Sequence, residues 1–295
     1  MRQIAFYGKG GIGKSTVGSN IAAALAERGL KVMMIGCDPK HDCTRNLLGT
    51  RKIPTILDTV RNADVERYGV KELIEGLRVV NLEDIIVEGY RGIYCAEAGG
   101  PKPGVGCAGR GVIAAIETLK RLRAFETLKP DIVLYDVLGD VVCGGFAMPL
   151  RMGLADEVYI VTSSDYLSLY AANNICLGID EFVDRGGSPV GGIVYNGRGA
   201  TDLEEVVQDF ALKTGCRIVG KIPHESLFAE AEVQGKTVIE YAPSSELADL
   251  FRKLAWDIYE NTDVSKPKPL NDDEMSALAS IIGDRARELH KGNIQ

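Results

Sequence analysis

The sequence predicts an α/β fold, a doubly wound and mostly parallel sheet in a single domain with a C-terminal helical tail. Three observations carry this reading. An apolar run, Ile4-Ala5-Phe6-Tyr7, passes through a glycine-rich turn into an Ala-rich helical pattern. Apolar runs of strand length then alternate with helical patterns down the chain without an internal repeat, the order that builds parallel sheets from βαβ units. Finally, 295 residues at 45% hydrophobic suffice for one large α/β domain with a substantial core. The predicted domain spans residues 1–262, and 263–295 form a linker and a last helix.

The turn after the first strand is Gly8-Lys9-Gly10-Gly11-Ile12-Gly13-Lys14-Ser15-Thr16, with the G-x-x-x-x-G-K-S spacing of a P-loop. Its glycines let backbone N–H groups close around phosphate oxygens, and the helix N-terminus adds its positive end. Lys14 then reaches the β- and γ-phosphates, and the Ser15 hydroxyl ligates Mg²⁺. The same residues contain Gly8-x-Gly10-x-x-Gly13, a dinucleotide fingerprint. A dinucleotide turn has no use for a Lys and a hydroxyl aimed at a terminal phosphate, so a nucleoside triphosphate is the expected ligand. Lys9 reads either as a solvated loop lysine or as a charge directed at phosphate across a subunit interface, as an arginine finger would be.

Val17 to Arg28 reads as a helix ended by Gly29, and Lys31 to Cys37 as a buried strand. Asp38 and Asp42 follow, on the edge where α/β sheets bind ligands; they suit Mg²⁺ or attacking water, or an Asx turn. Short amphipathic pieces, Pro54 to Arg61 and Lys71 to Gly76, lie within Ile53 to Gly89, and a Gly/Pro-rich loop runs from Gly99 to Gly111 before the helix Val112 to Arg123. The strand Asp131 to Asp136 ends in an acid suited to the Mg²⁺ and γ-phosphate region. A Gly-flanked cysteine, Cys143, stands seven residues beyond it, near enough for the intervening segment to transmit nucleotide state. Strands Glu157 to Thr162, Gly191 to Tyr195 and Arg217 to Pro223 alternate with helices Tyr166 to Arg185 and Asp202 to Thr214, and Thr237 to Glu240 reads as a short strand. Asn196, at a strand end, suits either contact with the nucleotide base or an ordinary turn. Helix Glu246 to Glu260 precedes the Lys266-Pro267-Lys268-Pro269 linker, and the tail helix, capped by Asn271, is expected to be poorly anchored and available to a partner subunit.

A net charge of −7 argues against a nucleic-acid surface. Met1-Arg2-Gln3 runs straight into the first strand with neither secretory signal nor long apolar span, so a cytoplasmic protein without membrane attachment is expected. The seven cysteines, Cys37, Cys43, Cys95, Cys107, Cys143, Cys176 and Cys216, contain no C-x-x-C pair, and disulfides are not expected. Cys37 and Cys176 sit in a strand and a helix and read as small core residues. Cys107 and Cys143 occupy Gly-rich loops, where backbone N–H groups can face sulfur. A [4Fe–4S] cluster takes four thiolates; one chain offers two suited to it, and two chains about a two-fold axis would offer four.

Gly8 to Thr16, Gly36 to Asp42, Gly99 to Gly111, Tyr135 to Pro149 and Tyr170 to Ile175 together closely resemble the nitrogenase iron protein family, and the likeness extends over nearly the whole chain. The resemblance implies the P-loop ATPase fold of iron proteins, and a homodimer with MgATP at each P-loop and one [4Fe–4S] cluster held by Cys107 and Cys143 of both subunits. ATP hydrolysis would gate electron delivery from a ferredoxin or flavodoxin donor to a larger catalytic component carrying complex metal clusters. By matching position, Lys9 contacts phosphate across the dimer and Lys14, Ser15 and Thr16 hold phosphate and Mg²⁺. Asp38 and Asp42 fall in a first switch region and Asp136 and Asp140 in a second, with Asp38 and Asp140 the candidates for orienting or activating water. Arg110 matches a docking-surface arginine that is ADP-ribosylated in some members.

His41 and Cys43 depart from the Ala and Ser commonest in that family. Pro39-Lys40-His41-Asp42 resembles the ATP-binding subunits of protochlorophyllide and chlorophyllide reductases, whereas the Cys107 and Cys143 loops keep the nitrogenase pattern. The catalytic partner is therefore open between dinitrogen reduction and reduction of a tetrapyrrole or a methylthio-alkane. Two readings of other classes remain: a non-redox partitioning-type ATPase, which needs neither cysteine, and an iron–sulfur cluster carrier, whose relatives place cysteines as C-x-x-C.

Overall fold

A computed structural model of the chain describes residues 1–40, 42–66, 80–100, 108–139, 154–197 and 203–292. The strands are β1 (Arg2–Tyr7), β2 (Val32–Gly36), β3 (Val87–Glu88), β4 (Tyr94–Glu97), β5 (Ile132–Asp136), β6 (Glu157–Thr162), β7 (Val190–Asn196) and β8 (Ile218–Ile222). They form one sheet in the order β3-β4-β2-β5-β1-β6-β7-β8. Among the described residues only β3 runs antiparallel, against β4. The helices are α1 (Lys14–Glu27), α2 (Arg45–Leu48), α3 (Ile56–Glu66), α4 (Ala108–Arg121), α5 (Ala124–Leu128), α6 (Tyr166–Val183), α7 (Glu204–Thr214), α8 (Leu227–Val233), α9 (Val238–Tyr241), α10 (Glu246–Tyr259) and α11 (Asp272–Gly292).

Alternation along the strands supplies both faces with apolar residues. Ile4 and Phe6 of β1 join Met34 and Leu134 on the face covered by α1 and α10, whereas Ala5 and Tyr7 join Met33, Ile35 and Tyr135 on the face covered by α4 and α6. The doubly wound prediction holds.

Three local expectations change. The first helix begins at Lys14, because Gly13 supplies a left-handed cap (φ 93°) that turns the P-loop directly into it. The strand read at Thr237 to Glu240 is instead α9. Thr237 Oγ1 accepts the Glu240 N–H at 3.2 Å, and Asn20 Oδ1 of α1 accepts the Val238 N–H at 2.8 Å, so two side chains satisfy the helix start that β-branched residues alone disfavour. The tail is well tied to its own chain. Ser265 exchanges backbone hydrogen bonds with Val190, the Asn173 carboxamide exchanges two with Leu270, and Leu270, Met275 and Leu278 enter the core.

At the edge where the strands begin, Arg2 of β1 reaches Glu157 of β6 and the carbonyls of Tyr259 and Asn261. Asn261 Nδ2 donates in turn to Tyr159 Oη at 2.9 Å and Glu157 Oε2 at 3.2 Å. The start of the chain and the segment after α10 are thereby knotted to the centre of the sheet.

Candidate nucleotide site

Sheet register assembles the site at the opposite edge. Phe6 of β1 pairs with Asp136 of β5, Asp136 with Gly36 of β2, and Gly36 with Glu97 of β4. Positions paired across a parallel sheet share a face, and here that face carries α1. The row thus presents two buried acids on either side of a residue without a side chain.

Lys14 comes down from the first turn of α1 and forms a buried ion pair with Asp136, and Ser15 Oγ donates to the other Asp136 oxygen. Burial alone would lower the Lys14 pKa, but the charge and hydrogen bond of Asp136, with smaller contributions from Cys43 and Asp38, leave it raised. Lys14 is a committed cation. The start of α1 has no capping side chain and no acid in its first turn, which leaves its N–H groups open to an anion.

Two hollows meet over the P-loop. The first, about 300 Å³, is lined by Lys9, Gly10, Lys14, Ser15, Asp38 and Asp42 among others. The second, about 290 Å³, shares Gly11, Gly13 and Thr16 with it and adds Asn196, Pro223, His224 and Phe228. Polar groups and cations surround the first, and the second has an apolar side, as a nucleotide's phosphates and base require. Asn196 Nδ2 donates to Ile12 O at 2.7 Å and so clamps the P-loop from β7. Gly8 is buried against the carbonyl of Val161, where a side chain would not fit. Gly139, three residues beyond Asp136, lies so close to the backbone of Gly8 and Lys9 that a Cβ would overlap the Gly8 carbonyl. Anything that shifts the P-loop is felt there.

The Lys40 N–H donates to Asp38 Oδ1 at 2.9 Å, the Asx turn that was one of its two readings; Asp38 still lines the phosphate hollow. Arg110 is exposed in the first turn of α4. Cys107, Cys143, Asp140 and the Lys71 to Gly76 piece lie outside the described residues. The other five cysteines are buried; burial holds the thiols of Cys37 and Cys95 far above their usual range. Among the described residues no cluster of His, Cys, Asp and Glu could hold a metal ion, and no helix is long and apolar enough to cross a membrane.

Sequence reasoning did not find Glu97, Asn46, Pro223, His224 or Phe228. Asn46 Oδ1 is buried without a partner among the described residues, and Asn46 lines the phosphate hollow. Pro223 and His224 carried a weak signal, since they follow a strand end on the ligand-binding edge of the sheet. Glu97 carried none.

Residues 2–284 match the 4Fe-4S iron sulfur cluster binding proteins of the NifH/frxC family. The chain is 59% identical over 288 residues to nitrogenase iron protein 2 of Methanothermococcus thermolithotrophicus, covering 98% of each chain. It is 49% identical to the nitrogenase iron protein of Methanococcus voltae, over 99% of this chain and 100% of that one. Among solved structures it superposes on a ParA family ATPase from Chlorobium tepidum TLS with a TM-score of 0.62 at 19% identity, covering 86% of this chain and 97% of the other. That last likeness concerns the fold alone.

Proposed function

Because the chain belongs to the NifH/frxC family of 4Fe-4S iron–sulfur cluster proteins, whose members are ATP-hydrolysing reductase components, we propose how its residues serve that activity. It acts as a symmetric homodimer in which MgATP at each P-loop gates electron delivery, through one shared [4Fe–4S] cluster, to a nitrogenase-type catalytic component. The observation that carries the gating is the double hold of Asp136 on Lys14 and Ser15. A nucleotide offers both groups better partners: its phosphates compete for the Lys14 ammonium and its Mg²⁺ for the Ser15 hydroxyl. Asp136 then loses its cation, and the strand end from Val137 to Gly139, packed on Gly8 and Lys9, registers the exchange. Asp38 and Asp140 orient or activate the attacking water, Asp42 supports the Mg²⁺ shell, and Lys9 reaches the nucleotide of the partner subunit.

Cys107 and Cys143 are the thiolates that would hold the cluster, two from each subunit. Their chemistry fits a shared [4Fe–4S] group, whereas the described cysteines are enclosed in the fold. A bound cluster supplies a one-electron carrier. The homodimer is supported by an exposed apolar row on one face of α6, Leu167, Tyr170 and Leu177, at helical spacing. Arg110 belongs to the surface that meets the catalytic component. A ferredoxin or flavodoxin would reload the electron.

The test is anaerobic purification, an iron count, and chelation of that iron with and without MgATP. About four irons per dimer are expected, with chelation accelerated by MgATP. Cys107→Ser and Cys143→Ser should each lose the iron. Full iron content in both variants would overturn the ligand assignment, and a chain that takes up no iron even on reconstitution would overturn the electron-transfer reading.

A further inference from the structure

Glu97 closes β4 and is fully buried. One oxygen, Oε1, accepts both the Thr44 N–H at 2.8 Å and the Thr44 hydroxyl at 2.7 Å. The other, Oε2, has no oxygen or nitrogen partner among the described residues; it occupies the space that a side chain at Gly36 would fill, next to the Cys43 sulfur. A buried carboxyl needs a reason, because desolvation opposes it unless its hydrogen bonds do something the apolar alternative could not.

Thr44 is the N-cap position of α2 and ends the loop that carries Asp38 and Asp42 along the phosphate hollow. Leu47 and Leu48 root the helix behind it in the core. Cys43, just before Thr44, lines that hollow together with Lys14. The groups around the Glu97 carboxyl are thus Cys43 and Thr44 from the loop, Asp136 from β5 across Gly36, and Cys95 two residues back on β4. Cys43, on the wall of the hollow that Lys14 also lines, and Thr44 after it thus join that wall to Glu97.

We propose that Glu97 is the positioning residue of the nucleotide response: by holding Thr44 at two points, it fixes the loop bearing Asp38 and Asp42 against the P-loop hollow. The two hydrogen bonds set where the loop ends, so that a shift of Lys14 toward phosphate meets a braced loop and not a slack one. Gly36 belongs to the same device, since it leaves the socket for the carboxyl. This rests on the reading above that MgATP binds at Lys14 and controls access to a cluster.

The experiment compares the anaerobically purified full chain with Glu97→Ala, Glu97→Gln and Thr44→Val. It reads iron per dimer, MgATP affinity, the acceleration of iron chelation by MgATP, and hydrogen exchange over residues 38–48. Glu97→Ala and Thr44→Val should keep their iron and bind MgATP within about threefold of the parent, yet lose about tenfold of the MgATP acceleration, a typical coupling between sites. Exchange over 38–48 should be faster in both. Glu97→Gln keeps an oxygen for Thr44 and should retain the acceleration within about threefold. Unchanged acceleration in Glu97→Ala, or equal losses in the Ala and Gln variants, would overturn the proposal. If a variant fails to hold iron, the exchange measurement decides, and unaltered exchange over 38–48 overturns it. A parent chain without iron, or with chelation indifferent to MgATP, would refute the functional reading instead, and the exchange comparison would still judge Glu97.

Discussion

Replacing Glu97 by Gln isolates the effect of one buried ionisable group on stability. Burial is the largest cause holding the Glu97 carboxyl at about 7 against an ordinary 4.5; hydrogen bonds from Thr44 and Cys43 pull the other way, and the Asp136 charge adds to the rise. Between those two values the folded chain keeps a proton that the unfolded chain has released. The stability this proton contributes is therefore complete below the ordinary value and is lost as pH rises through the folded one. Linkage makes the loss about 2 kcal/mol between about pH 5.5 and about pH 8, which is about 3 °C in melting temperature for a chain of this length. Gln titrates nowhere in this range, so Glu97→Gln should show a melting profile flatter by that amount. The assay is anaerobic thermal melting by circular dichroism across this range at constant ionic strength, with two scan rates to separate equilibrium shifts from kinetic ones. Parallel profiles for the two chains would refute the reasoning, because Glu97 would then take up no proton on folding.

Three further outcomes are expected. Lys14→Gln should keep its iron and lose MgATP binding in calorimetry, and should destabilise the chain by about 3 kcal/mol, since Asp136 is left buried without its cation. Gly139→Ala places a methyl group against the Gly8 carbonyl; an overpacking cost of about 1–3 kcal/mol at the P-loop should weaken MgATP binding about tenfold, and unchanged affinity would show that this segment is not braced on the P-loop. Asn261→Ala removes hydrogen bonds to Tyr159 and Glu157 and should cost about 2 kcal/mol of stability in denaturant unfolding without changing MgATP affinity.

What could be read in the sequence was local. The P-loop declares itself because its glycines, lysine and hydroxyl are contiguous, and Asp136 because it ends an apolar strand. Asp136 then proves to be the partner of both Lys14 and Ser15, a pairing that depends on β1 and β5 being neighbours. Glu97 is invisible for the same reason: its meaning comes from Gly36 across β2 and from Thr44, 53 residues away. The strand that carries it was also missed, since β4 has four residues and follows a tight turn in which Arg91 adopts a left-handed conformation (φ 49°). At Thr237 to Glu240 the local preference for strand was outweighed by a cap from Asn20, more than two hundred residues earlier. Asn173, noticed only as part of a family motif, turns out to fasten the tail at Leu270.

The knot of Arg2, Glu157 and Asn261 gives the sheet a mechanical polarity. Strands that begin in a shared network of charged and amide groups cannot slide past one another at that end. Load applied where they finish, at Tyr7 before the P-loop and at Thr162 of β6, must then be carried by bending the connecting segments, as in a beam built into a wall at one end. The site lies at the free end, where a given force produces the greatest deflection. A P-loop fold anchored in this way delivers the work of nucleotide exchange to its loops and keeps its framework still.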